Sequence, residues 1–148
     1  MRRFRKQFQA LPANVQSRLV LENDERNYGA EDVLALGDAL GIPTVFDCFH
    51  HIAYASELPT EKLIARVYAG WSRSDGPPEL HYSTQKTGSR TGSHADMIDT
   101  ESFVQFLRLL PPANVDIMLE AKSKDLALLG LRRELLTRCR ILDEWAVT

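Results

Sequence analysis

Four short apolar runs in this chain each deliver, at or near their C-terminal end, a side chain able to bind a cation. Arg18-Leu-Val-Leu-Glu22 ends on Glu22, Pro43-Thr-Val-Phe-Asp47 on Asp47, and Val115-Asp-Ile-Met-Leu-Glu120 on Glu120. Glu79-Leu-His-Tyr-Ser83 carries His81 in its second half. Carboxylates brought to one spot beside an imidazole repel one another unless a cation neutralises them. Hard divalent ions suit carboxylate oxygens, and imidazole extends the choice to manganese, zinc or iron. The Asp-x-x-His step of Asp47-Cys-Phe-His50-His51 adds a second ligand one turn of loop beyond the first. Each residue alone has a plainer reading, as a helix cap, a solvated loop residue or a satisfied core histidine. Four runs with the same ending are what points to a metal cluster. Glu79 and Lys122 read most simply as a strand-start and a helix-start residue.

The segment Gln85 to Asp96 follows the His81 run directly. It is rich in Gly and Ser and carries Lys86 and Arg90. Backbone N–H groups and two cations in such a loop can hold a phosphate; the alternative is a flexible connection. The Gly-Lys-Ser/Thr ending of a Walker loop is absent. His94, near the loop's end, reads as a group beside the metal, a general acid, or a solvated loop histidine. No Gly-x-Ser-x-Gly elbow occurs and neither cysteine has a base partner, which argues against nucleophilic serine or cysteine catalysis.

These side chains converge only if the four runs are parallel strands. The stretches between them have helical periodicity: Ala30 to Leu40, Thr60 to Trp71 with Thr60 as its cap, Thr100 to Leu110, and Lys124 to Cys139. Part of a helix, Arg2 to Leu11, precedes the first run. Alternating strands and helices predict an α/β fold with a parallel sheet and right-handed crossovers. Loops at the strand ends are longer than those at the strand starts. That asymmetry suits a parallel (β/α) barrel of the TIM type, whose chemistry sits at the strand C-termini. Such a barrel needs eight units and roughly 250 residues, whereas 148 residues supply four. Residues 1–148 read as one domain without a linker.

Composition narrows the class. With 44% hydrophobic and 26% charged residues and a net charge of -2, the chain is an ordinary globular one, not a low-complexity disordered one. No apolar run approaches the roughly 18 to 20 residues that a bilayer needs, so no membrane partner is expected. Two cysteines, Cys48 and Cys139, make neither a disulfide framework nor a metal motif and read as reduced thiols of a cytoplasmic protein. The basic opening Met1-Arg2-Arg3-Phe4-Arg5-Lys6 lacks an apolar signal core and reads as the solvated end of a helix. Net charge near zero makes no global case for nucleic acid, so DNA contacts would have to come from local patches.

Five blocks together resemble the UV damage endonuclease family, which is similar to endonuclease IV and the xylose-isomerase-like barrels. They are Leu19-Val-Leu-Glu22-Asn23-Asp24-Glu25, Gly41-Ile-Pro-Thr-Val-Phe-Asp47-Cys-Phe-His50-His51, Leu80-His81-Tyr-Ser83, Gly92-Ser-His94-Ala95-Asp96 and Asp116-Ile-Met-Leu-Glu120-Ala-Lys122. The resemblance runs from about Arg3 to about Arg133. It implies a metal-dependent endodeoxyribonuclease that repairs damaged double-stranded DNA by hydrolysing the phosphodiester 5′ to UV photoproducts. The implied cofactor is a cluster of divalent ions, manganese before zinc or others. By position Glu22, Asp47, His50, His81 and Glu120 look like ligands. Glu22, His94 and Lys122 look like catalytic residues, and Lys86, Arg90 and His51 like DNA contacts. Many relatives have lysine two residues before the His81 position; here stands Glu79, a carboxylate that could serve directly. The family barrel is about twice as long, as eight β/α units require. The resemblance therefore implies the C-terminal half of a barrel, strands five to eight. Its open edges would pair with an N-terminal half or with a second copy. The competing readings are an abasic-site endonuclease, another metal-dependent barrel enzyme, or a catalytically incomplete fragment.

Overall fold

The computed structural model describes residues 1–54 and 59–146. Four strands, β1 (Leu21–Glu22), β2 (Thr44–Asp47), β3 (Glu79–Tyr82) and β4 (Asp116–Leu119), form one sheet in the order β1-β2-β3-β4, every pairing parallel. Among the described residues, seven helices accompany them: α1 (Arg2–Gln9), α2 (Ala13–Gln16), α3 (Ala30–Leu40), α4 (Cys48–Tyr54), α5 (Thr60–Gly70), α6 (Thr100–Leu107) and α7 (Asp125–Ala146). The fold is α/β, four consecutive units of a (β/α) barrel, as the alternation of periodicities predicts.

Two of these helices go unpredicted. Ala13–Gln16 is a single turn, too short for any periodicity to register. The stretch after Asp47 is helix, not loop, so His50 stands one helical turn above Asp47. The predicted start of the first strand also shrinks, since only Leu21 and Glu22 pair with β2.

The core lies between the sheet and its helices. On β3, Leu80 and Tyr82 are buried on the helix side while Glu79 and His81 alternate to the other face. Phe46, Leu63, Ile64, Val67 and Leu80 are fully enclosed. Tyr82, Phe103 and Phe106 form an aromatic group with ring centroids about 5 to 6 Å apart, in the range of favourable offset and edge contacts. The helix α3 ends where the sequence predicts. Gly41 takes the left-handed conformation (φ 66°) that closes the helix, and glycine adopts it without the Cβ clash. Gly37 is needed for a different reason: a Cβ there would sit 2.7 Å from the carbonyl oxygen of Ile42, so α3 could not approach β2 as closely.

Several helix ends differ from expectation: α1 stops at Gln9, short of Leu11, and α7 runs to Ala146, beyond Cys139. Thr60 is the first helical residue of α5, not its cap; Pro59 occupies that position and offers no side-chain bond. The helix α6 ends at Leu107, and the chain to Leu110 continues in tighter turns, with Leu109 N–H bonded to Phe106 and Leu110 N–H to Leu107. Its N-terminus is capped by Asp99, whose carboxylate accepts from Ser102 N–H.

Cys48 is a buried free thiol; Cys139 lies outside the described side chains. Burial, reinforced by the Asp47 charge, pushes the Cys48 thiol up to about 12. Since the thiolate is the reactive species, Cys48 in the native chain should resist maleimide, and should react fully in denaturant. Peptide mapping by mass spectrometry distinguishes it from Cys139. Equal labelling in both states would contradict its burial.

Candidate metal centre

The parallel register brings the chemistry-bearing residues together. Asp47 lies opposite His81 across β2 and β3, and Glu22 lies opposite Val45 at the end of β1. Glu120 follows the last residue of β4, held by its N–H on the Tyr82 carbonyl (2.9 Å). Glu22, Asp47 and His81 each offer a ligand atom, and the three atoms lie within 4.8 Å of one another. His81 is the hub. Its Nδ1 is 3.0 Å from Glu22 Oε1 and 3.6 Å from Glu120 Oε1, and its Nε2 is 3.2 Å from Glu79 Oε1. The two strand-face neighbours Glu79 and His81 thus interact directly, so Glu79 belongs to the cluster and is more than a strand start.

The hydrogen bond that His81 donates to Glu22, with the charges around it, raises the imidazole to about 9 against the opposing effect of burial. Glu22 is lowered by the same hydrogen bond. Asp47 goes the other way: burial raises it, more than the His50 N–H bond and charge lower it. Asp47 is completely enclosed, and its Oδ2 has no hydrogen-bond partner. A buried, unpartnered carboxylate oxygen costs free energy unless something occupies its lone pairs. Two carboxylates and an imidazole around such an atom suit a divalent ion such as manganese or zinc.

The helix α4 places His50 over this group. Asp47 Oδ1 accepts the His50 N–H at 2.7 Å, an N-terminal cap from the last strand residue. His50 Nδ1 lies 3.1 Å from the Asn23 carbonyl and 3.5 Å from Asp47 Oδ2. A carbonyl only accepts, so Nδ1 is the donor in that bond. Glu25 Oε2 stands 4.0 Å from His50 Nε2. His94 Nδ1 is 3.7 Å from Glu120 Oε2, and the His94 ring meets Phe49 edge-on with centroids 5.0 Å apart.

Four of the predicted residues do not join the cluster. His51, one residue after His50 on α4, turns about 100° away. It is buried against Phe46, and burial lowers its imidazole. A phosphate could not reach it there. Lys86 pairs with Asp96 on the surface (3.3 Å), and the Arg90 guanidinium is solvent-exposed. Lys122 makes no ion pair with a ligand among the described residues; it lines an open groove of about 870 Å³ with His94, Met118 and Glu120.

The loop after β3 is ordered. Lys86 N–H bonds Ser93, and Ala95 N–H bonds Thr84. The Gln85 amide fills its centre, donating to the carbonyls of Lys86, Ser89 and Arg90 and accepting from Gly92 N–H. Sequence reasoning missed Gln85, Glu25 and above all Asn23. Asn23 is buried, and its side chain both donates to the Asp47 carbonyl and accepts from the Asp47 N–H, each at 2.9 Å. The one available signal was an amide beside a predicted ligand at a strand end, which could equally be a turn residue.

The model of the UV-endonuclease UvdE family matches residues 1–145. The chain belongs to that family. Its UvdE relatives include the UV DNA damage endonuclease of Bacillus mycoides (strain KBAB4), 38% identical over 135 residues, which are 90% of this chain and 43% of that protein. The UV DNA damage endonuclease of Bacillus pumilus (strain SAFR-032) is 36% identical over 138 residues, 91% of this chain and 43% of the relative. The crystal structure of SacUVDE superposes with a TM-score of 0.83 at 33% identity, covering 92% of this chain and 45% of that one. The chain therefore spans less than half the length of the relatives it matches. Among the described residues, no helix of this UvdE-family chain is long and apolar enough to cross a membrane.

Proposed function

We propose that this chain supplies the metal-binding part of an endonuclease that hydrolyses the phosphodiester 5′ to UV photoproducts in double-stranded DNA. The observation that carries the reading is the convergence of Glu22, Asp47 and His81, with the buried Asp47 Oδ2 left unpartnered. Those three would hold a divalent ion, manganese before zinc, with His50 beside Asp47, Glu120 beside His81, and Glu79 as a further carboxylate. Such an ion supplies activation of water at neutral pH and a clamp on the phosphate oxygens. The protein's own part is to orient. Asn23 and the His50 N–H fix the Asp47 carboxylate, and Glu22 and Glu79 fix the His81 ring. His94, seated against Phe49 at the edge of the groove, would give a proton to the leaving oxygen. Lys122 in the groove, with Lys86 and Arg90 on the adjoining loop, offsets the charge of the approaching backbone. The chain works as a cytoplasmic enzyme, and its open sheet edges call for an N-terminal half-barrel or a second copy.

The test is nicking of supercoiled plasmid, irradiated, unirradiated or carrying abasic sites, with manganese or with chelator, read beside calorimetric manganese binding. Manganese-dependent nicking of the irradiated plasmid is expected wherever the barrel is complete. Glu22→Gln and Glu120→Gln should each lose manganese affinity and nicking together. Unchanged manganese binding in both variants would sink the ligand assignment. Nicking confined to abasic plasmid would replace the substrate.

A further inference from the structure

The basic opening of the chain plays no part in the candidate metal centre, yet its placement is specific. In α1, Arg2, Arg3, Arg5 and Lys6 are all exposed. At about 100° per residue they fall within an arc of about 160°, with Phe4 and Phe8 on the opposite side. That opposite side is partly packed against the protein. Phe8 is buried, Phe4 stacks on it with centroids 6.1 Å apart, and Met1 and Phe4 line a small cavity with Leu21, Glu22 and Val33. The first turn of α1 thus rests beside the strand end that carries Glu22.

The four cations are also unpaired. Arg26, Arg66, Lys86 and Arg138 each lie against a carboxylate. Among the described residues, none of the α1 cations does. The helix holds four positive charges and no acid in a chain of net charge -2, which leaves a net -6 for the remainder. An isolated positive face in an otherwise acidic chain, next to an acidic cluster, is an electrostatic footprint for a polyanion.

We propose that the basic face of α1 contacts the phosphodiester backbone of duplex nucleic acid flanking the candidate metal centre. This rests on the DNA reading of that centre. It favours nucleic acid over an anionic membrane because an interfacial helix must bury its apolar face in lipid, and here Phe8 of that face is buried in the protein with Phe4 stacked on it.

Binding of a fluorescently labelled, undamaged DNA duplex by the whole chain, followed by anisotropy over a series of salt concentrations, tests it. Each phosphate contact contributes about 0.9 to the slope of log affinity against log salt. The quadruple variant Arg2→Gln/Arg3→Gln/Arg5→Gln/Lys6→Gln should therefore bind at least about 10-fold more weakly at low salt, with a slope shallower by about three to four. Its calorimetric manganese binding should be unchanged. The charge-keeping variant Arg2→Lys/Arg3→Lys/Arg5→Lys should retain the original slope. Duplex binding by the unmodified chain with no change in the quadruple variant overturns the inference and leaves the DNA reading standing. So does loss of binding to phosphatidylcholine–phosphatidylserine vesicles while DNA binding persists. No duplex binding by the unmodified chain overturns both.

Discussion

Asp47→Asn should abolish divalent-metal binding while leaving the metal-free chain as stable as before or more so. Asparagine keeps the shape of the side chain and an oxygen to accept from His50 N–H, but it removes the charge. Losing a group that only supports a ligand typically costs about 10- to 100-fold in metal affinity, so losing the enclosed ligand charge should exceed about 100-fold. Stability moves the other way because burial raises the Asp47 carboxyl above its usual range. The native chain then holds that proton more tightly than the unfolded chain does. Ionised Asp47 is a net cost to the metal-free fold. The cost begins to appear as pH rises through the unfolded value, near 3.8, and is complete above the raised native value. Asparagine removes it at neutral pH. Manganese calorimetry and urea unfolding without metal give the two readouts. A large loss of metal-free stability, or manganese affinity within a few-fold of the original, would contradict the role given to Asp47.

Asn23→Ala should produce the opposite pattern, a large loss of stability together with a misaligned site. The β1 strand is only two residues long, and the Asn23 side chain continues its pairing to β2 by imitating a peptide group against Asp47. Alanine would strand both the N–H and the carbonyl of a wholly enclosed residue. A buried unsatisfied group costs about 1 to 3 kcal/mol, so the pair should cost about 2 to 6 kcal/mol. Asn23→Asp should be no better, since a carboxylate cannot donate to the Asp47 carbonyl and adds a buried negative charge beside a ligand. Denaturant unfolding checks both. Midpoints unchanged from the original would mean that water or backbone movement replaces the amide.

Much of this was legible in the residues. The four strand runs, their parallel order, the glycine that ends α3 and the convergence of Glu22, Asp47, His81 and Glu120 follow from hydrophobic periodicity and from parallel strands presenting their ends on one side. These are short-range rules, and each needs only a few neighbouring residues. What was not legible depends on distant partners. His50 and His51 are adjacent and chemically identical, and only the helical turn after Asp47 sends one to the cluster and the other into the core against Phe46. Glu79 looks like any strand-start acid until His81 Nε2 is found 3.2 Å away. Gln85 looks like a loop residue until its amide is seen holding the loop's backbone groups. Asn23 could not be told from a turn residue because its two partners lie 24 positions along the chain. Residue order thus determined which elements form, which way they run and which side chains reach the strand ends, because periodicity and strand direction are local. Tertiary structure alone decided which of those side chains face one another, because hydrogen-bond partners and burial arise only when distant segments pack.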